Sequence, residues 1–334
     1  MKIKTAKVVE KHKVDIVESE LQPLQDNQVL IKVLACGICS TEMAVFNGDT
    51  IGVEGCSFHY KSYPANLGHE AVGYVEEVGP KVRNIKAGDA VTGMTYSGCC
   101  FADYIVEPED MLIKINDTNK DNHHKYILEP LMATTNIIHQ LKISYGDNVA
   151  IIGDGYMAMI LVAALSHYPL NNLIVTGHHD WRLGLMQKYG ATKVINSKKE
   201  NAWEIINDLT NGSGVDISIE YAGNTNALTL SASICKPKVR SQLVMASSYS
   251  NDMPFIIANY LQNRAPILVP AYPHTSLNKT KDMERAMWAL EKGIFPIDEL
   301  HTHVFGYNNI QNAFELSQAR AEGFIKGTFF PKDL

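Results

Sequence analysis

Asn148-Val149-Ala150-Ile151-Ile152-Gly153-Asp154-Gly155-Tyr156-Met157-Ala158 is the stretch on which the reading of this chain turns. Its first five residues form a short apolar strand, and residues 156–166 continue as a helix. The turn between them is G-x-G-x-x-A, and each small residue has a physical task. Gly153 permits the tight turn, Gly155 lets the backbone approach a pyrophosphate, and Ala158 lets the helix pack closely on the strand. A pyrophosphate there would rest on the free amides at the helix N-terminus. Glycine-rich turns between strands and helices are common, so the motif takes its force from context.

Outward from the motif the rhythm holds. Strands at 172–175, 193–195, 216–220 and 242–245 alternate with helices at 181–189, 202–209 and 227–234. Strands alternating with helices of about ten residues predict βαβ units on a parallel, doubly wound sheet. A dinucleotide is the ligand expected there, with Gly153, Gly155, Tyr156, Met157 and Ala158 as its contacts. Residues 148–165 are the longest apolar run, but Asp154 and two glycines interrupt it, so it reads as core and not as a membrane span.

An NAD(H) site closes its second strand with an acidic residue about 20 positions past the glycines, where a carboxylate accepts hydrogen bonds from the ribose. Here the strand runs into Gly177-His178-His179-Asp180-Trp181-Arg182, and the strand-end position is glycine. His178, His179 and Arg182 stand where a 2′-phosphate would lie, which predicts NADP(H) in preference to NAD(H). Asp180 still has the reach to meet a ribose, and Arg182 has the plainer reading of a charge on a helix face.

Upstream the pattern is different. Residues 28–34 and 71–78 are β-rich runs, the second ending at Gly79-Pro80, and Gly88-Asp89 turns into a strand at 90–92. This part predicts a β-rich, barrel-like domain. Late in the chain, 281–292 and 310–319 read as helices, and 267–272 as an apolar strand. His123-His124 lies in a charged stretch that reads as a solvated loop. No repeat or low-complexity segment is visible.

Composition bounds the rest. The chain has 334 residues, which at roughly 150 per domain predicts two domains, and its 46% hydrophobic share excludes wholesale disorder. A formal charge of −6 gives no electrostatic footprint for nucleic acid or an anionic membrane. The N-terminus scatters charge and has no apolar targeting core, so a cytoplasmic protein is expected. Six cysteines are too few for a disulfide scaffold. Cys36-Gly37-Ile38-Cys39 is a C-x-x-C, open to reading as half a zinc ribbon, a redox pair, or one cysteine joining a distant His and carboxylate. Cys56, Cys99, Cys100 and Cys235 complete no second C-x-x-C.

Taken in order, Gly37-Ile38-Cys39-Ser40-Thr41-Glu42, Gly68-His69-Glu70, Gly88-Asp89-Ala90-Val91, Glu129-Pro130-Leu131 and the glycine motif resemble the zinc-dependent medium-chain dehydrogenase/reductase (alcohol dehydrogenase) superfamily. The sorbitol and threonine dehydrogenase branch is the most similar, and the resemblance spans essentially the whole chain. It implies an α/β fold in which a β-rich GroES-like catalytic domain, residues 1–141 and 277–334, carries an inserted Rossmann domain, residues 142–276, with the active site in the cleft. It implies Cys39, His69, Glu70 and Glu129 as zinc ligands, one sulfur, one nitrogen and one or two oxygens suiting Zn²⁺. Thr41 matches the hydroxyl that relays the substrate proton.

Three departures from the family pattern matter. Only Cys99 and Cys100 lie where relatives often carry four cysteines, so one catalytic zinc and no structural zinc are expected. Glu42 replaces the Asp that orients the zinc-ligand His, with one more methylene of reach. Ala44 stands where some relatives end the proton relay in a histidine, leaving water or His59 as the exit. Residues 47–66 are expected to wall the substrate pocket, with Cys56, His59 and Tyr60 as candidate substrate contacts. The substrate class implied is a secondary alcohol or polyol and its ketone. The strand at 267–272 pairs between subunits in similar enzymes, which implies a homodimer or homotetramer. Two rivals stay open: a zinc-free quinone or enoyl reductase of the same superfamily, and a non-catalytic NADP-binding protein on this fold.

Overall fold

The chain begins with charged and apolar residues alternating, and this alternation builds an antiparallel hairpin of β1 (Lys2–Glu10) and β2 (Lys13–Glu20). Lys2 and Lys4 face solvent while Ile3 and Thr5 face inward, the period-two pattern of a half-buried strand. The computed structural model describes residues 1–49, 62–95, 97–237, 240–249 and 253–334. They divide into two compact units, Met1–Met132 with Asn278–Glu291 and Ile297–Leu334, and Ala133–Leu277 with Lys292–Pro296.

In the first unit β3 (Gln28–Gly37) leads into α1 (Ser40–Phe46), followed by β4 (Ala65–Asn66), β5 (Ala71–Val78), β6 (Ala90–Gly93), β7 (Tyr104–Pro108) and β8 (Leu112–Lys114). Then comes α2 (Glu129–Gln140), of which residues up to Met132 belong to the first unit and the rest to the second. The short helix α1 was not anticipated; its seven residues are too few for a periodic signal. The expectation of a solvated loop at His123 is corrected. A 3₁₀ turn buries that ring, which pairs with Tyr74 Oη at 3.0 Å and the Asp117 carbonyl at 2.7 Å. Charged neighbours hid it, because in a single turn one side can be wet and the other dry.

The second unit is the alternating half: β9 (Asn148–Ile152), α3 (Tyr156–Leu165), β10 (Asn172–Gly177), α4 (Asp180–Lys188), β11 (Lys193–Asn196), α5 (Ala202–Leu209), β12 (Ile217–Glu220), α6 (Thr225–Ile234), β13 (Gln242–Met245), α7 (Ala258–Arg264) and β14 (Ile267–Pro270). All six strands are parallel, in the order β11-β10-β9-β12-β13-β14. The order reverses beside β9, the switch point at which open α/β sheets bind ligands beyond their strand ends. Every residue of β9 is buried, as is α3 apart from Met157, so the long apolar run is the core of a sheet. No helix among the described residues is long and apolar enough to cross a membrane.

The chain returns to the first unit through α8 (Lys279–Glu291), α9 (Ile297–Leu300), β15 (His301–Phe305), α10 (Ile310–Ala319) and β16 (Lys326–Phe329). β16 pairs antiparallel with β3, Phe329 opposite Cys36, and joins the order β15-β16-β3-β5-β6-β8, with β7 also on β3. Phe46, Phe101, Phe314 and Phe329 fill the core beneath this sheet, Phe101 and Phe329 with ring centroids 5.1 Å apart. That packing fixes the end of β3 and the start of α1, where the chemistry-bearing residues sit.

Candidate metal and cofactor sites

Cys36 and Cys39 part company in the fold. Cys36 ends β3 inside the core, where burial pushes its thiol well above the ordinary range. Cys39 is the N-cap of α1, partly open. Three residues on, Glu42 turns back: its Oε2 accepts from the Cys39 amide at 2.6 Å, while its Oε1 lies 2.7 Å from His69 Nδ1. A carboxylate only accepts, so a ring proton sits on Nδ1 and Nε2 is the nitrogen left to ligate a metal. One carboxylate thus caps a helix and fixes an imidazole. Burial works against charge on His69, but Glu42 and Cys39 outweigh it and hold the ring well above its ordinary range.

His69 follows Gly68, whose φ of +91° and closeness to the Phe101 amide leave no room for a side chain; a Cβ would lie 2.8 Å from that nitrogen. Glu70 is fully buried and held by Lys326 of β16, with Nζ 2.7 Å from Oε1 and 2.6 Å from Oε2. Burial penalises its charge, yet Lys326 and His69 hold its carboxyl below the ordinary range. Gly37 makes the space, since a Cβ there would come within 1.9 Å of Glu70 Oε2.

Ligand atoms of Cys39, His69 and Glu70 lie within 4.8 Å of one another, a set able to hold a metal ion. Glu129, at the first position of α2, is buried nearby but is not one of this close trio. Burial, with the charges of Glu70 and Glu42, pushes its carboxyl up to about 7 against the opposing pull of His69 and Lys326. Thr41 Oγ1 is buried with no hydrogen-bond partner among the described residues. Lys326 and His301 were missed from the sequence. His301 at the start of β15 is pushed down to about 4 by burial and the Lys326 charge. The available signal was a lone lysine between apolar neighbours in Phe324-Ile325-Lys326-Gly327-Thr328-Phe329. Cys56, His59 and Tyr60 lie outside the described residues.

In the other unit, Gly153 has φ of +139°, and a Cβ there would meet the Tyr221 carbonyl carbon at 3.0 Å. Gly155 caps α3, and a Cβ there would meet nothing within 4 Å, so the ground above it is open for a ligand. Ala158 and Tyr156 are buried and Met157 is half-buried. Gly177 ends β10 beneath the Asp154 carboxylate. Asp154 Oδ2 accepts from the amides of His178 at 2.7 Å and His179 at 2.9 Å, and pairs with His179 Nδ1 at 2.9 Å. Burial raises the Asp154 carboxyl, but these bonds prevail and hold it below the ordinary range. Asp180 is turned to Asn196 Nδ2 at 2.6 Å and Lys199 Nζ at 2.5 Å. Arg182 is buried, its guanidinium 5.0 Å from the Trp181 ring centroid.

A switch-point parallel sheet with a glycine turn, and a β-rich unit gathering thiol, imidazole and carboxylate, define a two-domain dehydrogenase. Residues 25–117 match the alcohol dehydrogenase GroES-like domain family, and residues 156–288 match the zinc-binding dehydrogenase family. The chain is 31% identical over 252 residues to the L-threonine 3-dehydrogenase of Caldanaerobacter subterraneus subsp. tengcongensis, covering 67% of this chain and 71% of that one. It is 26% identical to the sorbitol dehydrogenase of Bacillus subtilis over 96% of both chains. A Sinorhizobium meliloti 1021 protein whose structure is bound to NADP superposes with a TM-score of 0.82 at 21% identity, over 99% of this chain and 100% of that one. The chain belongs to the zinc-binding, medium-chain alcohol dehydrogenase family and is an oxidoreductase.

Proposed function

We propose that this chain transfers a hydride between NADP(H) and a secondary alcohol or polyol and its ketone, using one catalytic zinc. The observation that carries the reading is the trio Cys39, His69 and Glu70, with His69 held by Glu42 and the Thr41 hydroxyl, unpartnered among the described residues, in the first turn of α1. The donor set fits zinc: a thiolate, an imidazole with Nδ1 held by Glu42 and Nε2 left to ligate, and carboxylates, with a position to spare for substrate if one carboxylate stays off the ion. Cys39, His69 and Glu70 would hold the ion, with Glu129 as the further carboxylate. Bound zinc supplies a Lewis acid for the substrate oxygen, and the nicotinamide supplies or takes the hydride.

This chain's residues supply the rest. Thr41 Oγ1 would relay the substrate hydroxyl proton in oxidation, taking it up as it passes its own hydroxyl proton on to water, and the same relay would run in reverse in reduction. Glu42 keeps His69 in one tautomer and one orientation. Lys326 balances the charge of Glu70, which keeps a buried carboxylate ionised beside the thiolate. Residues 1–141 and 277–334 act as the catalytic domain, and residues 142–276 hold the dinucleotide.

NADP(H) is favoured because β10 ends in glycine, Asp180 is engaged by Lys199 and Asn196, and His178 and His179 follow directly. The NADP in the Sinorhizobium structure supports it. The zinc-free reductase reading gives no reason for Cys39, His69 and Glu70 to converge, and the non-catalytic reading gives none for an orphan Thr41 hydroxyl. The chain is read as cytoplasmic, and as a homodimer or homotetramer through β14, an edge of its sheet with Leu268 exposed. Zinc analysis beside kinetics with NADPH and NADH tests the proposal. One zinc per chain and higher kcat/KM with NADPH are expected; no bound zinc, or a clear NADH preference, overturns it in that part.

A further inference from the structure

A groove of about 660 Å³ opens on the first unit, and none of its lining residues is a candidate metal or cofactor ligand. Small-molecule sites typically span about 300–1,000 Å³ and combine an apolar lining with a few convergent polar groups. One wall is α8; the other is the 3₁₀ turn Glu109–Met111 running into β8. The apolar lining comes from Ile85, Leu112 and Met287, each nearly buried. On α8, spacings of four and three put Glu284, Trp288 and Glu291 on one face, so the indole stands between two carboxylates. Trp288 is 57% exposed. An indole left in water on the wall of a concave site offers its ring face to a cation.

The charges on the walls are unbalanced. Four carboxylates line the groove, Glu109, Asp110, Glu284 and Glu291, against the single ammonium of Lys114, which is itself turned to Asp89 at 3.7 Å. Two of the four are spent within the protein. Glu109 accepts from the amides of Arg83 and Asn84, and Glu284 pairs with Lys281 at 2.8 Å. Asp110 on one wall and Glu291 on the other, both exposed, keep their charge for a ligand. An anion would be repelled here, and a neutral apolar molecule would strip water from those carboxylates and give nothing in return. An aliphatic chain carrying several ammonium groups answers every feature: its methylenes cover the apolar lining, and its charges meet the two carboxylates and the indole face. We propose that the groove between α8 and β8 is a binding site for an aliphatic polyamine.

The test is calorimetric titration of spermidine into the full-length protein at low salt, beside an uncharged aliphatic diol of similar length. One spermidine bound per chain is expected, with no binding of the diol. W288A should raise the Kd for spermidine about threefold, as loss of an exposed cation–π contact does, and D110N/E291Q about fivefold, as loss of two exposed ion pairs does. In the free protein, acrylamide should quench a fluorescence component that W288F lacks. No binding of spermidine overturns the proposal. So does binding that W288A and D110N/E291Q leave unchanged, which would mean attraction to acidic surface in general. Trp288 shielded from acrylamide in the free protein also overturns it, because a second copy of the chain would then cover the groove.

Discussion

At the residue scale the site depends on carboxylates with assigned partners. Glu42 is the clearest: it spans the Cys39 amide and the His69 ring, so it aligns two expected ligands from one side chain. Groups that orient a metal-bound histidine typically matter by about 10–100-fold. E42A should therefore lower zinc affinity or turnover by about that factor, measured by chelator competition and by initial rates; wild-type values for both would remove Glu42 from the site. Glu129 carries the pH prediction. Its folded carboxyl titrates at about 7 against an ordinary value of 4.5, so the folded, metal-free chain keeps a proton that the unfolded chain releases. Stability present below 4.5 is then lost as pH rises to about 7. In chelator-treated protein, E129Q should flatten the fall of Tm across that window relative to wild type. Parallel Tm curves for the two proteins would contradict the burial of an ionisable Glu129.

At the scale of elements, the site is assembled from pieces distant in sequence. α1 carries Cys39 at its cap, the turn before β5 carries His69 and Glu70, and β16 brings Lys326 from the far end of the chain. Lys326 and Glu70 are each nearly inaccessible to solvent. Removing one partner of a buried pair leaves the other charge uncompensated, at a cost of about 3–5 kcal/mol. K326A should lose about that much stability in urea unfolding, and K326A/E70Q should recover part of it. A K326A protein as stable as wild type would mean that Glu70 finds another counter-charge.

At the scale of the molecule, the parallel-sheet unit was legible and the β-rich unit only partly so, for one physical reason. In the first case each strand, helix and turn is announced by its neighbours: apolar 148–152, the glycine turn, then apolar 156–165, repeated along one parallel sheet. In the second, β3 is flanked by β5, β7 and β16, and nothing local to Lys326-Gly327-Thr328-Phe329 says that it will lie against Cys36. Of the ligand set Cys39, His69, Glu70 and Glu129 implied by the family pattern, the first three bring their ligand atoms together. Its charge partner Lys326 and the buried His301 were invisible because pairing across the sheet, not spacing, delivers them. The hairpin of β1 and β2 was hidden by its charge, since the folding signal is the buried Ile3 between exposed Lys2 and Lys4. For the molecule as a whole, zinc-loaded protein should contain one zinc per chain by elemental analysis, since Cys99 and Cys100 alone replace a four-cysteine lobe. Two zincs per chain would show a second site.

The most direct test of the central claim is the loss of NADPH fluorescence when zinc-loaded protein meets a panel of secondary ketones and keto-sugars, run beside C39S. The account predicts turnover of at least one member by wild type, its abolition in C39S, and NADPH binding retained in both. No turnover across the panel, or turnover that survives in C39S, would contradict it.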